Sequence, residues 1–374
     1  MKLLMVANVD WFFISHRLCI AEEALDNGWE VYVACHDSGR SIEIKEKGIK
    51  FINISFSRSG TNLLSEIKTM YSFFKLYKKV KPDVVHHITL KPVIYGSVVS
   101  KIQKIKGTLN AISGLGYNFT GNRKGIVQRF MIKLLKFGFS QNNLTVIFQN
   151  KDDYHEIKSL GILKDENTIN FIKGSGVDLK KFYHSDFINT GKVKILLPIR
   201  MLWDKGVDEL RSASVILKEK YYGKIVFILS GLADIENKAG VTKSYLEDWV
   251  EDNYVDWIGY QKDMVYVYQN SDIVVLPSYR EGMPKSLIEA CAIGRAIVTT
   301  DAIGCRECVE EGKNGFKVPV KSTKELAMAI EKLVLSKELR EQMGNFSRRK
   351  AELEFSQEMV INTHLDIYNK LYEE

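Results

Sequence analysis

Two glutamates eight residues apart, Glu281 and Glu289, bracket the stretch P-S-Y-R-E-G-M-P-K-S-L-I-E, residues 277–289. Carboxylates accept hydrogen bonds from hydroxyl groups. Between these two lies the start of a predicted helix: residues 285–293 have helical spacing, and Pro284 suits a first turn. The N–H groups of a helix start and the positive end of its dipole make an anion site. Gly282, Met283, Pro284, Lys285, Ser286 and Leu287 would then line a ligand that carries both phosphate and hydroxyl groups. A second feature has complementary chemistry. Arg200 and Lys205 stand five residues apart after the apolar run 193–199 and before a helical segment. Arginine grips two phosphate oxygens at once and lysine adds a point charge, so the pair reads as a diphosphate clamp. A pair of glutamates in isolation is ordinarily a solvated loop feature. The buried-strand pattern of Ile273–Leu276 and the Gly282 and Pro284 punctuation argue against that here.

The elements that must position these residues follow from alternation. Short apolar runs (3–7, 30–34, 84–85, 108–112, 146–149, 170–172, then 193–199, 224–230, 255–259 and 273–276) alternate with helical segments, which implies doubly wound parallel sheets. Ligands of such sheets sit beyond the carboxyl ends of the strands. The loop from Asn8 to Arg17 would therefore face a cleft, with His16 and Arg17 as candidates; its aromatics Trp11 to Phe13 read equally well as core. His86 and His87 end another strand. Neighbours on a strand point to opposite faces, so one of them, with His87 as the candidate, would look into the cleft. Gly114 and Gly116 follow the strand 108–112 and mark either close backbone approach to a ligand or a turn.

The E-G-x-P-x-S-x-x-E setting of the two glutamates resembles the signature of retaining glycosyltransferases of family four. The similarity continues through Gly294, residues 296–299, Gly304, Glu307, Val309 and 312–316, and covers the C-terminal half. It extends more weakly to the N-terminal half. The resemblance implies the GT-B architecture: an α/β chain of two Rossmann-like doubly wound domains facing a central cleft, with a C-terminal helix crossing back to the first domain. Residues 1–187 would form the acceptor- and membrane-facing domain, 188–355 the nucleotide-sugar domain, and 356–374 the returning helix. It also implies roles. Arg200, Lys205 and the helix start hold the donor diphosphate, Glu281 the donor sugar and Glu289 the ribose, while the base lies against Gly259 and Tyr260. The chemistry is transfer with retention, without a metal or other cofactor. The P-S-Y-R-E-G-M-P and G-C-R-E-C-V segments are most similar to enzymes adding N-acetylhexosamines, usually from UDP-sugars, to undecaprenyl-diphosphate-linked glycans of bacterial surfaces. Two departures stand out. The first loop has no glycine, and the loop after 108–112 lacks the histidine that many members place there.

At 374 residues the chain exceeds one ordinary core, which predicts two domains. A net charge of +7 fits an anionic ligand or membrane surface but falls short of the bias of a nucleic-acid-binding tail. The five cysteines form no disulfide framework, and the CxxC of Cys305 and Cys308 has no second pair or nearby histidine for zinc. With no signal-peptide pattern and no apolar run near about 18 residues, the reading is a cytoplasmic protein. Two segments, 65–81 and 123–141, are basic and apolar together, the second without an acidic residue. Each is either an amphipathic helix covering the sheet or a peripheral contact with an anionic membrane that carries a lipid-linked acceptor. Rival functions are an NAD-dependent oxidoreductase, a nucleotide-sugar epimerase on the same fold, and a non-catalytic membrane-associated scaffold. The first lacks a G-x-G-x-x-G turn after either leading strand.

Overall fold

The computed structural model describes residues 1–54, 63–115, 125–188, 191–234, 237 and 239–374. The chain forms two compact units, 1–175 with 358–374, and 176–357. The first contains β1 (Lys2–Val9), α1 (Asp10–His16), α2 (Leu18–Asp26), β2 (Glu30–His36), α3 (Ser41–Lys45), β3 (Lys50–Asn53), α4 (Leu63–Val80), β4 (Val84–Ile88), α5 (Leu90–Gln103), β5 (Gly107–Ile112), α6 (Ile126–Phe139), β6 (Leu144–Phe148), α7 (Lys151–Ser159) and β7 (Thr168–Phe171). The second contains β8 (Val193–Pro198), α8 (Val207–Tyr221), β9 (Ile225–Ser230), α9 (Lys243–Glu247), β10 (Val255–Gly259), α10 (Met264–Gln269), β11 (Ile273–Leu276), α11 (Lys285–Ile293), β12 (Ala296–Thr300), β13 (Gly315–Val318), α12 (Thr323–Leu335) and α13 (Lys337–Glu354). The last helix, α14 (Gln357–Glu373), belongs to the first unit from Glu358 onward.

Both sheets are parallel. Their strand orders are β3-β2-β1-β4-β5-β6-β7 and β10-β9-β8-β11-β12-β13. Helices cover both faces, so the strands are apolar on both sides rather than alternating. In the first unit Leu3, Met5 and Ala7 face a core shared with Val360, Tyr368 and Leu371 of α14. Leu4 and Val6 face a core shared with Phe73, Tyr95 and Leu135 of α4, α5 and α6.

The unit boundary falls twelve residues ahead of the expected one at 187/188, because 176–188 is fastened to the second unit's own elements. Val177 N donates to Phe355 O (2.8 Å), Arg295 Nη1 to Ser185 O (2.7 Å) and Arg348 Nη1 to Phe182 O (2.8 Å). Arg295 itself is fully buried. Composition around 185–192 resembles a linker, but these long-range hydrogen bonds decide where the chain changes unit.

Candidate active site

The second sheet reverses its order between β8 and β11, so the loops leaving those two strands lie side by side. They are tied together. Tyr279 N donates to Asp204 O (2.9 Å), and Ser278 Oγ donates to the same carbonyl (3.2 Å). Gly206 has φ +73°, and a Cβ there would lie 2.2 Å from Pro277 O, so only glycine fits. The single turn 203–205 closed by this glycine delivers Lys205 to Glu281. Lys205 Nζ is 2.5 Å from Glu281 Oε1, and each side chain is 17% exposed.

A third loop, after β12, holds Glu281 from the other side. Glu281 N donates to Ile303 O (2.9 Å). Gly304, at φ +79°, presses so closely that a Cβ would stand 2.4 Å from Glu281 O. Arg200 leaves the same strand end as Lys205 but leans outward, 56% exposed, with Nη1 3.4 Å from Asp234 Oδ2. The β9 end joins the arrangement through Gly231, whose N–H donates to Gly259 O (2.8 Å). Gly259 is in the left-handed region (φ +64°), and Tyr260 beyond it is exposed.

α11 begins at Lys285, not at Pro284. The proline is the N-cap residue, and its carbonyl accepts from Leu287 N (3.1 Å) and Ile288 N (3.2 Å). The Leu287 N–H is thus bonded within the turn, and its side chain is in the core. Met283 likewise buries its side chain in that core. Both positions read as loop and helix start because the motif does not reveal which side chains turn inward. One helical turn further on, Glu289 is mostly buried, 13% exposed, with Lys285 Nζ 3.9 Å from Oε1. Burial pushes its carboxyl above the usual range, and Lys285 and the buried Tyr268 oppose that shift. Tyr268 also fixes the helix start by donating to Ser286 O (3.0 Å).

Two candidates of the first unit, His87 and Arg17, lie in the interior rather than facing solvent. His87 is fully buried between Tyr77 Oη (2.5 Å) and Asn110 Oδ1 (2.7 Å), beneath Gly96, where a Cβ would lie 2.4 Å from Nε2. Burial pushes its pKa down to about 4. His86 is fully buried as well, 2.7 Å from Tyr368 Oη. β4 is a central strand with helices on both faces, so alternation sends both rings into cores. Arg17 is 2% exposed, with Nη1 donating to His16 O (2.8 Å), so it too is interior. His16 is half-buried and stacks on Phe12 at 4.2 Å between ring centroids. Gly114 adopts φ +120°, a backbone region that favours glycine. Gly116, Arg123 and Lys124 lie outside the described residues.

One residue of this region escaped the sequence reading. Asp10 is fully buried and accepts from Trp11 N (2.7 Å), Ser38 N (2.7 Å) and Arg40 N (3.0 Å), locking the loops after β1 and β2 together. An acid at the first position of a helix after a leading strand was the available signal. Cys291, Cys305 and Cys308 are buried free thiols; burial raises all three, Cys291 and Cys305 to about 12. Among the described residues no group of three His, Cys, Asp or Glu side chains is placed to hold a metal ion.

Comparison with known proteins supplies the class. The family model "Glycosyl transferases group 1" matches residues 178–350, and "Glycosyl transferase 4-like" matches residues 2–150. The chain is 29% identical over 381 residues to the N,N'-diacetylbacillosaminyl-diphospho-undecaprenol alpha-1,3-N-acetylgalactosaminyltransferase of Campylobacter jejuni, covering 96% of this chain and 98% of that protein. It is 23% identical over 304 residues to the UDP-Gal:alpha-D-GlcNAc-diphosphoundecaprenol alpha-1,3-galactosyltransferase of Escherichia coli, covering 78% and 76%. The fold matches that of sucrose-phosphate synthase from Thermosynechococcus elongatus with a TM-score of 0.80 at 16% identity, covering 100% and 99%. Two parallel Rossmann-like sheets, a returning C-terminal helix and these likenesses together make the chain a glycosyltransferase of the GT-B fold.

Proposed function

We propose that the protein transfers a sugar, an N-acetylhexosamine, from a UDP-sugar to a lipid-linked saccharide, with retention, in the assembly of a bacterial surface glycan. The observation that carries this reading is the Lys205–Glu281 pair at the carboxyl ends of β8 and β11, beside the start of α11. Lys205, Arg200 and the first turn of α11 hold the diphosphate and stabilise the negative charge that grows on it as the sugar leaves. Glu281 accepts from donor-sugar hydroxyls and Glu289 from ribose hydroxyls, with the base against Gly259 and Tyr260. Cations and helix N–H groups serve where other transferases use a metal. The acceptor hydroxyl attacks on the face the diphosphate leaves, so an α-linked donor yields an α-linkage. Uridine and a diphospho-undecaprenol acceptor are the chemistry printed in the names of the Escherichia coli and Campylobacter jejuni relatives.

The site of action in this reading is the cytoplasmic face of a membrane, bound peripherally. Among the described residues no helix is long and apolar enough to cross a membrane. α6 instead has two apolar sides. Leu135 and Phe139 enter the core, while Val127, Phe130 and Phe137 are exposed among the exposed cations Arg129, Lys133 and Lys136. A basic helix with an outward apolar stripe suits an anionic bilayer. α4 adds exposed Ile67 and Tyr71 next to Lys68 and Lys75.

Thermal stabilisation by UDP, by GDP and by NAD, each with a chelator present, tests the donor side on wild type and on Glu289→Ala. A ligand at 100 times its Kd adds about 2.7 kcal/mol. UDP is expected to stabilise the wild type and to lose most of that effect in the variant. Stabilisation by NAD alone, or by none of the three, would overturn the reading.

A further inference from the structure

The turn that carries Lys205 is gripped by two tyrosines from two different elements. The first is Tyr279, in the loop after β11. Its N–H donates to Asp204 O (2.9 Å), one residue before Lys205, and its phenol donates to Glu209 Oε1 (2.5 Å), four residues after it. The second is Tyr245 of α9. Its ring meets Trp203 edge-on at 4.8 Å between centroids, and its phenol donates to Asp208 Oδ1 (2.6 Å). Each tyrosine therefore joins one residue of the turn 203–205 to one acid in the first turn of α8.

The two bridges differ in what else they hold. Asp208 is exposed, so the Tyr245 bridge is a surface feature. Tyr279 and Glu209 are half-buried, and Lys321 Nζ stands 5.0 Å from the centre of the Tyr279 ring. Glu209 Oε2 is shut off from solvent, and among the described residues it has no partner of its own. A phenol-to-carboxylate bond of this length is charge-assisted. Breaking it would leave a half-buried carboxylate unpaired. Tyr279 also belongs to the loop that presents Glu281, the carboxylate Lys205 meets. Its neighbour Ser278 is fixed in turn: Ser278 O accepts from Thr300 Oγ1 at the end of β12, and Ser278 Oγ donates to Asp204 O.

A single turn that ends on a glycine has little of its own to hold it in place. The strength with which a lysine meets a diphosphate depends on where its ammonium stands, and a small misplacement is costly. We propose that Tyr279, acting through Glu209, is a positioning residue for Lys205. The phenol–carboxylate bond fixes the turn against α8, so that the Lys205 ammonium stands where the donor diphosphate arrives. Tyr279 acts through the Asp204 carbonyl and the start of α8 and touches no donor atom. This role rests on the donor reading of the site and adds two residues that the reading does not otherwise use.

Calorimetric titration of UDP, with a chelator present, tests it. Tyr279→Phe keeps the ring beside Lys321 and the backbone bond to Asp204 and removes only the phenol. It is expected to weaken UDP at least about fivefold, the worth of one net hydrogen bond, and Glu209→Ala should weaken it equally. Glu209→Gln still offers the phenol an acceptor and should stay within about twofold of the wild type. If the freed Glu209 charge were the cause, Glu209→Ala would bind UDP as tightly as the wild type or more tightly, and the positioning role would fall. In a Lys205→Ala background Tyr279→Phe should cost less than about twofold, since no ammonium is left to place. An equal cost in both backgrounds overturns the role. Tyr245→Phe removes the matching bond at the surface and should also stay within about twofold. A loss as large as that of Tyr279→Phe would assign the effect to the helix start in general and overturn the role of Tyr279. Unchanged UDP affinity in Lys205→Ala would strike the donor reading, and this role with it. A weakened Lys205→Ala beside an unaffected Tyr279→Phe strikes this role alone.

Discussion

Lys205 Nζ meets Glu281 Oε1 at 2.5 Å across 76 residues of chain, and both side chains are largely withdrawn from solvent. Each group compensates the other's desolvation. In the proposed function a donor diphosphate takes Lys205 over from Glu281, and the donor sugar's hydroxyls offer the freed carboxylate new partners. UDP lacks the donor sugar and therefore its hydroxyls. Glu281→Gln should therefore bind UDP more tightly, about tenfold, because Lys205 is released and a negative charge beside the diphosphate is gone. The same variant should lose about 10²–10³ in turnover if the carboxylate orients the donor sugar. Calorimetric titration of UDP and a donor-consumption assay read the two effects. Unchanged UDP affinity would show that the pair does not compete with the diphosphate.

The pair depends on Gly206. Alanine there would combine a left-handed backbone with a Cβ 2.2 Å from Pro277 O. The expected cost is about 2–4 kcal/mol from strain and overpacking, read as a lower urea midpoint at unchanged slope. The loop 200–206 should shift with it and weaken UDP binding. A fully stable, active Gly206→Ala would refute the close approach of the two loops.

Burial holds His87 down to about 4 and His364 to about 3, while in the unfolded chain both titrate near 6.5. The unfolded state therefore binds more protons below pH 6.5. The stability contributed by these neutral rings is complete above pH 6.5 and falls as pH drops toward 4. Each contributes a slope of about 1.4 kcal/mol per pH unit in that window. Glu289, raised by burial, acts in the opposite sense at the acidic end. Urea midpoints at pH 7, 6 and 5 should fall steadily, and His364→Asn should flatten the decline. A slope that the substitution leaves untouched would mean His364 is not buried neutral.

The outward stripe of α6 makes a separate claim. Phe130 and Phe137 are 41% and 45% exposed. Replacing both with serine should leave Tm nearly unchanged, weaken sedimentation with anionic liposomes about tenfold or more, and spare UDP binding. Liposome binding should also fall as salt rises, because the cations act through a screened field. Equal binding by the double variant would remove α6 from the membrane surface.

Alternation of apolar runs with helical spacing was enough to read two doubly wound sheets, since a parallel sheet covered on both faces leaves buried runs that local composition records. The local backbone around the second unit's candidates follows a similar logic. Arg200, Lys205 and Glu281 sit in short loops whose glycines and prolines fix the backbone locally, and Glu289 lies in the helix α11 that follows. Of the first unit's candidates, His87 and Arg17 failed because they depended on facing. Nothing in V-V-H-H indicates that both faces of β4 are covered, so His87 read as a cleft residue and proved to be core. Arg17 failed likewise: it is 2% exposed, close enough to Tyr368, more than 300 residues away, to interact with it electrostatically.

From local order alone came the element types, the two sheets and the residues able to meet phosphate and hydroxyl groups, all consequences of neighbouring side chains and backbone preferences. Only the packed chain could pair Lys205 with Glu281, turn Leu287 inward, join Tyr279 to Glu209, and assign 176–188 to the second unit. Each of these depends on contacts between segments far apart in sequence. Such contacts are set by which loops the sheet order brings together and how closely glycine lets them approach.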